Sequence, residues 1–113
     1  MWKWKQVVLC SLAALGISCS ESQDSKNPPS LVERGKHYYK NVCTACHNGD
    51  PSKDGTLGPA VAGSSLALLE AKVLRGEYPP GYTPKRDTSA MPRFEFLAPE
   101  IPGLAAYLDA PKS

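Results

Sequence analysis

The 113-residue chain carries 13 Lys and Arg against 11 Asp and Glu, with four cysteines and 42% hydrophobic residues. Its length argues for one domain, and a net charge of +2 leaves no basic face of the kind that neutralises nucleic-acid phosphates. No apolar run approaches the ~20 residues a transmembrane helix needs.

The chain opens with Lys3 and Lys5, followed by an apolar stretch from about Val7 to Ile17 and then small residues. This is the pattern of a secretory signal; an uncleaved anchor is the alternative, disfavoured by its shortness. Leu15-Gly16-Ile17-Ser18-Cys19 resembles a bacterial lipoprotein box, in which the cysteine is lipidated and becomes the new N-terminus. The resemblance implies a signal over residues 1–18 and a lipid on Cys19; a plain signal cut near Ser18 is the competing reading. Cys10 does not fit that part, because Leu9 precedes it in mid-run. Ser20 after the cysteine resembles lipoproteins sorted to an outer membrane.

Without residues 1–18 both tryptophans are lost, and 11 basic residues face 11 acidic ones. The remainder holds sixteen Leu, Ile, Val and Phe, roughly 17%, below the ~20% expected of a self-sufficient globule. So thin an aliphatic core calls for a disulfide, a metal or a cofactor.

Residues 19–29 are polar and end in Pro28-Pro29, a flexible tether with a stiff end. The domain proper spans residues 30–113. Ser30 and Glu33 have the spacing of a capping box, predicting a helix from Leu31 to about Cys43. Leu31, Gly35, Tyr39 and Cys43 fall on one face of it, and Gly35 there implies a close neighbour. Residues 48–63 read as loop. A second helix starts after Ser64 or Ser65, with Leu66, Leu69 and Val73 as its apolar stripe and Gly76 as its stop. Some twenty residues from Glu77 to Phe96 show no pattern, and loops of that length tend to be functional. Pro99-Glu100 opens a last helix carrying Ile101, Leu104, Tyr107 and Leu108, stopped at Asp109-Ala110-Pro111. No strand pattern and no internal repeat is present.

The chemistry sits in Cys43-Thr44-Ala45-Cys46-His47. A structural zinc needs four ligands, commonly two pairs, and the other candidates are only His37, His47 and Cys19. A thioredoxin-like dithiol needs a preceding strand, whereas this motif follows a helix. Covalent haem attachment fits best. Two thiols with two residues between them reach the two vinyl groups, and the adjoining histidine lies beneath the ring to coordinate iron. Shuffling this composition yields the pattern with a chance of about 0.002. Haem also supplies the missing apolar core, and c-type maturation follows export.

From these residues the domain, over about residues 30–109, resembles a class I monohaem c-type cytochrome. The resemblance implies an all-α fold of about three main helices around one haem c. Gly35, Tyr39 and Cys43 match the family's first helix, whose glycine admits the last helix and whose aromatic, here Tyr39, meets another, here Tyr107. Gly58-Pro59-x-Val61-x-Gly63 resembles the segment whose proline carbonyl accepts the far N–H of the haem histidine, giving Pro59 that role. Met91, 44 residues after His47 and followed by Pro92, matches the distal ligand. His37 is its rival, disfavoured because the first helix already serves the opposite haem face. Tyr78, Tyr82, Lys85 and Arg86 precede Met91, but no propionate partner is assigned. Lys72, Arg75, Lys85, Arg86 and Arg93 are cations with which an acidic redox partner could be steered.

The reading is a membrane-tethered electron carrier and not an enzyme, with Cys43 and Cys46 holding haem and His47 and Met91 filling both axial sites. Its expected place is the periplasmic face of a bacterial membrane, with redox proteins as partners. The alternatives are a subunit bound permanently to a larger oxidoreductase, docked through Tyr78–Tyr82, or a sensor or peroxidase with open iron.

Overall fold

The computed structural model describes residues 28–110. Cys19, the signal and nearly all of the tether lie outside them. Helix α1, Leu31–Val42, starts on the expected capping box: Ser30 Oγ accepts from Glu33 N at 3.2 Å, and Glu33 Oε2 accepts from Ser30 N at 2.8 Å. The helix tightens into a 3-10 turn over Cys43–Ala45. Helix α2, Leu66–Leu69, is capped by Ser65 and widens into a π-helical turn over Glu70–Leu74. A 3-10 turn over Glu95–Glu100 leads into α3, Ile101–Asp109. The described residues contain no strand, so the domain is the all-α fold expected.

The core lies where α1 crosses α3. Gly35 and Gly103 meet there backbone to backbone: a Cβ on Gly35 would fall 1.8 Å from the Gly103 carbonyl oxygen. Only hydrogen side chains allow that approach, which explains the glycine that helix propensity disfavours. Beside the crossing the rings of Tyr39 and Tyr107 pack at 5.5 Å, tilted by 48°. Leu69, Val73, Leu97, Ile101, Leu104 and Leu108 complete the buried cluster. Glu100, the one buried carboxylate among the described residues, receives a two-pronged contact from Arg34 of α1, with Nε at 3.1 Å from Oε2. The carboxylate holds the Arg34 guanidinium above its ordinary pKa through that hydrogen bond.

Three expectations need correction. Leu31 and Leu66, assigned to buried stripes, are about half exposed. Each is the first residue of its helix, and its side chain lies outside the crossing. The second helix is not regular α throughout but changes to π at Glu70. Val73 O then accepts from Phe94 N at 2.7 Å. Glu95 and Phe96, read as the end of the loop, instead begin a 3-10 turn in which Leu97 anchors fully in the core.

Candidate haem site

The attachment motif sits where α1 ends. His47 N and Cys46 N both donate to Cys43 O, at 2.9 and 3.2 Å, which winds the two thiols around one turn. Cys43 and Cys46 are free thiols, half-buried. Burial pushes the Cys43 thiol up to about 11. The thiols and the imidazole do not converge as a chelating cluster, nor does any other group of three His, Cys, Asp or Glu among the described residues. Separate tasks for thiols and imidazole fit this arrangement better than one shared ion.

The segment after the motif is more ordered than its Gly- and Pro-rich sequence announces. Leu57 N and Gly58 N return to Cys46 O at 3.2 and 3.0 Å, and Gly55 N donates to Gly58 O at 2.8 Å. Pro51, fully buried, accepts from Val61 N and Ala62 N at 2.8 and 2.9 Å. The Tyr39 hydroxyl donates to Asn48 O, so the same ring that packs at the crossing also ties the loop to α1. Burial raises that hydroxyl to about 12.

This scaffold fixes the imidazole. His47 Nδ1 lies 2.8 Å from Pro59 O, so Nδ1 carries the proton and donates to the carbonyl. Nε2, the unprotonated nitrogen, makes no hydrogen bond within the described residues and keeps its lone pair for a metal. Gly58 is the cradle: a Cβ there would lie 2.4 Å from the imidazole Cε1. The donor set therefore fits a haem, with a tautomer set by a backbone acceptor, a lone pair on Nε2, and two thiols one turn back.

Met91 is half-buried and packs against the core cluster, as do Cys43, Val61, Leu74 and Phe94. It rides on the long loop, whose C-terminal end is pinned to the π-helical turn by the Phe94–Val73 bond. At the tip Lys85 Nζ donates to Ala60 O at 2.8 Å and Arg86 Nη2 lies 3.8 Å from Asp54 Oδ2. These cations thus latch the Met91 loop onto the Pro59 segment. Tyr78 and Tyr82 stack at 5.4 Å, with Lys72 Nζ 4.4 Å above the Tyr78 ring. His37 is exposed on α1, with its backbone carbonyl taken by Asn41 Nδ2 at 2.7 Å. Sequence reasoning passed over Asp54, Gly55 and Leu57. Leu57 stands 65% exposed beside the attachment turn, and no periodic signal marks a residue in such a loop.

No curated protein matches this chain. The family model for cytochrome c matches residues 32–110, from α1 through α3. The chain therefore belongs to the cytochrome c family, electron-transfer proteins that bind a covalent haem c.

Proposed function

We propose that the protein is a membrane-tethered monohaem electron carrier, with haem joined to Cys43 and Cys46 and held axially by His47 and Met91. The bond from His47 Nδ1 to Pro59 O carries this reading, because it directs Nε2 to a metal and fixes the ring while it does so. When bound, haem supplies one-electron exchange between its ferric and ferrous forms. The chain's own task is positional. Gly58 and Pro59 hold the imidazole, the Val73–Phe94 pin and the Lys85 latch hold the Met91 loop, and Tyr39 keeps the attachment loop on α1. A thioether ligand favours the ferrous form and raises the potential. With both axial sites filled, electrons pass but substrates do not bind.

A lipid on Cys19, joined through residues 20–29, would keep the domain close to membrane-bound donors and acceptors, on the periplasmic face of a bacterial membrane. Tethering raises effective concentration without new contacts. The exposed Leu57 beside the attachment turn supports docking at that edge. The stacked Tyr78 and Tyr82 favour the second reading, a subunit held permanently by a larger oxidoreductase.

Addition of carbon monoxide to the reduced, matured protein tests the carrier reading. An unchanged low-spin spectrum is expected. Ready binding would reveal an open iron, replace the carrier by a sensor or peroxidase, and remove Met91 from the axial set. Radiolabelled palmitate should enter the wild-type chain in cells and not Cys19→Ala; label in both, or in neither, refutes the lipid anchor.

A further inference from the structure

The Pro59 carbonyl that accepts from His47 belongs to the same peptide unit as the Ala60 N–H. That N–H donates to Asp54 Oδ1 at 2.8 Å. The second carboxylate oxygen, Oδ2, faces Arg86 Nη2 at 3.8 Å. Carboxylate, peptide and imidazole thus form one hydrogen-bonded chain ending at Nδ1, with the guanidinium in a looser ionic contact at its solvent-exposed far end.

The carboxylate is held in place by its own backbone. Asn48 Nδ2 donates to Asp54 O at 3.1 Å, and the next residue, Gly55, donates from N to Gly58 O at 2.8 Å. A Cβ on Gly55 would lie 2.4 Å from Cys46 O, so the turn that presents Asp54 is packed against the attachment motif itself.

A peptide is conjugated, so a strong acceptor at its N–H increases the negative charge on its oxygen. Hydrogen bonds in series strengthen one another in this way, and bonds to an ionised carboxylate are the stronger kind. The Pro59 oxygen therefore pulls harder on the Nδ1 proton than an ordinary carbonyl. A more strongly bonded imidazole is a more basic ligand through Nε2, which favours the more highly charged ferric state.

We infer that Asp54 is a positioning residue that sets the basicity of His47 through the Pro59–Ala60 peptide, with Arg86 moderating its charge. This inference rests on His47 as an axial ligand. It also joins the two ligand segments electrically, because Arg86 belongs to the loop that carries Met91. The alternative role for Asp54 is simple loop closure, which an uncharged acceptor would fill as well.

The test is the midpoint potential of the full-length, haem-loaded protein and its Asp54→Asn variant, which keeps an oxygen for the Ala60 N–H and removes the charge. The ferric/ferrous equilibrium should move toward ferrous by at least threefold, about 28 mV at about 59 mV per tenfold for one electron. The shift should persist at 1 M salt, where screening leaves a range of only about 3 Å for free surface charge. In the NMR spectrum of the reduced protein the His47 Nδ1 proton should exchange faster with solvent in the variant. Arg86→Gln is the second variant and should move the equilibrium the other way. An Asp54→Asn potential equal to wild type, or a shift abolished by 1 M salt with the Nδ1 proton unaltered, overturns the inference. The ligand reading fails separately: in ferric wild-type protein, His47 ring protons without large paramagnetic shifts would remove His47 from the iron.

Discussion

Gly35→Ala separates helix propensity from packing, because the two predict opposite signs. Alanine in place of glycine inside a helix should stabilise by ~1 kcal/mol on propensity alone. At this position the new Cβ would lie 1.8 Å from Gly103 O, 2.3 Å from its carbon and 2.9 Å from Leu104 N. All three are backbone atoms, so no side chain can swing aside. Restoring an ordinary 3.4 Å contact requires α3 to retreat about 1.6 Å. A gap of 0.5–1 Å already forfeits roughly a quarter to a half of a dispersion contact. The retreat therefore loosens Ile101, Leu104 and Tyr107 together against Tyr39. Losses of the large-to-small kind, about 4 kcal/mol, less the propensity gain, leave a net destabilisation of about 3 kcal/mol. Denaturant melts of the haem-loaded protein followed by far-ultraviolet circular dichroism measure it. Gly103→Ala, whose Cβ would meet Leu31 O at 3.0 Å, should cost less, and Gly49→Ala, with open space around it, should be near neutral. A Gly35→Ala protein as stable as wild type, or more so, would refute the close crossing.

Gly58→Ala drives a methyl into the His47 ring and should break the Nδ1 bond to Pro59, a loss of about 2 kcal/mol; a variant whose potential and Nδ1 proton signal match wild type would contradict the cradle. Arg34→Ala leaves the buried Glu100 carboxylate without its partner. The denaturant midpoint should fall, and the loss should be largely recovered in Arg34→Ala/Glu100→Gln. Tyr39 has a hydroxyl raised by burial to about 12 in the fold, against ~10 when unfolded. Its contribution is complete below pH 10 and is lost as pH rises through 12, so the denaturant midpoint should fall over that window and fall less in Tyr39→Phe.

The helices and the turn that carries Cys43, Cys46 and His47 were readable from local rules because each is encoded by near neighbours. Ser30 and Glu33 define one cap, Ser65 another, and the thiols and His47 are contiguous. The residues alone showed Gly35 only as a cost implying a close neighbour; the family resemblance named the last helix as that neighbour, and Gly103, which supplies the contact, was not singled out. What escaped is held by long-range contacts, of backbone and side chain alike. The π turn at Glu70–Leu74 accompanies the Val73–Phe94 pin, and the Lys85 and Arg86 latches span 25 and 32 residues to Ala60 and Asp54. The cations read as steering charges for a partner are thus partly committed within the domain, Lys72 to Tyr78 and Arg75 to Glu77 as well. Asp54 and Gly55 gain their roles only when the loop folds back on Cys46.

The most direct measurement is the near-infrared spectrum of the ferric, haem-loaded protein beside its Met91→Ala variant. Coordination by His47 and Met91 predicts a low-spin spectrum with the weak sulfur-to-iron charge-transfer feature, and loss of that feature in the variant. A wild-type spectrum without it, or a feature that survives Met91→Ala, would contradict the assignment of the sixth ligand.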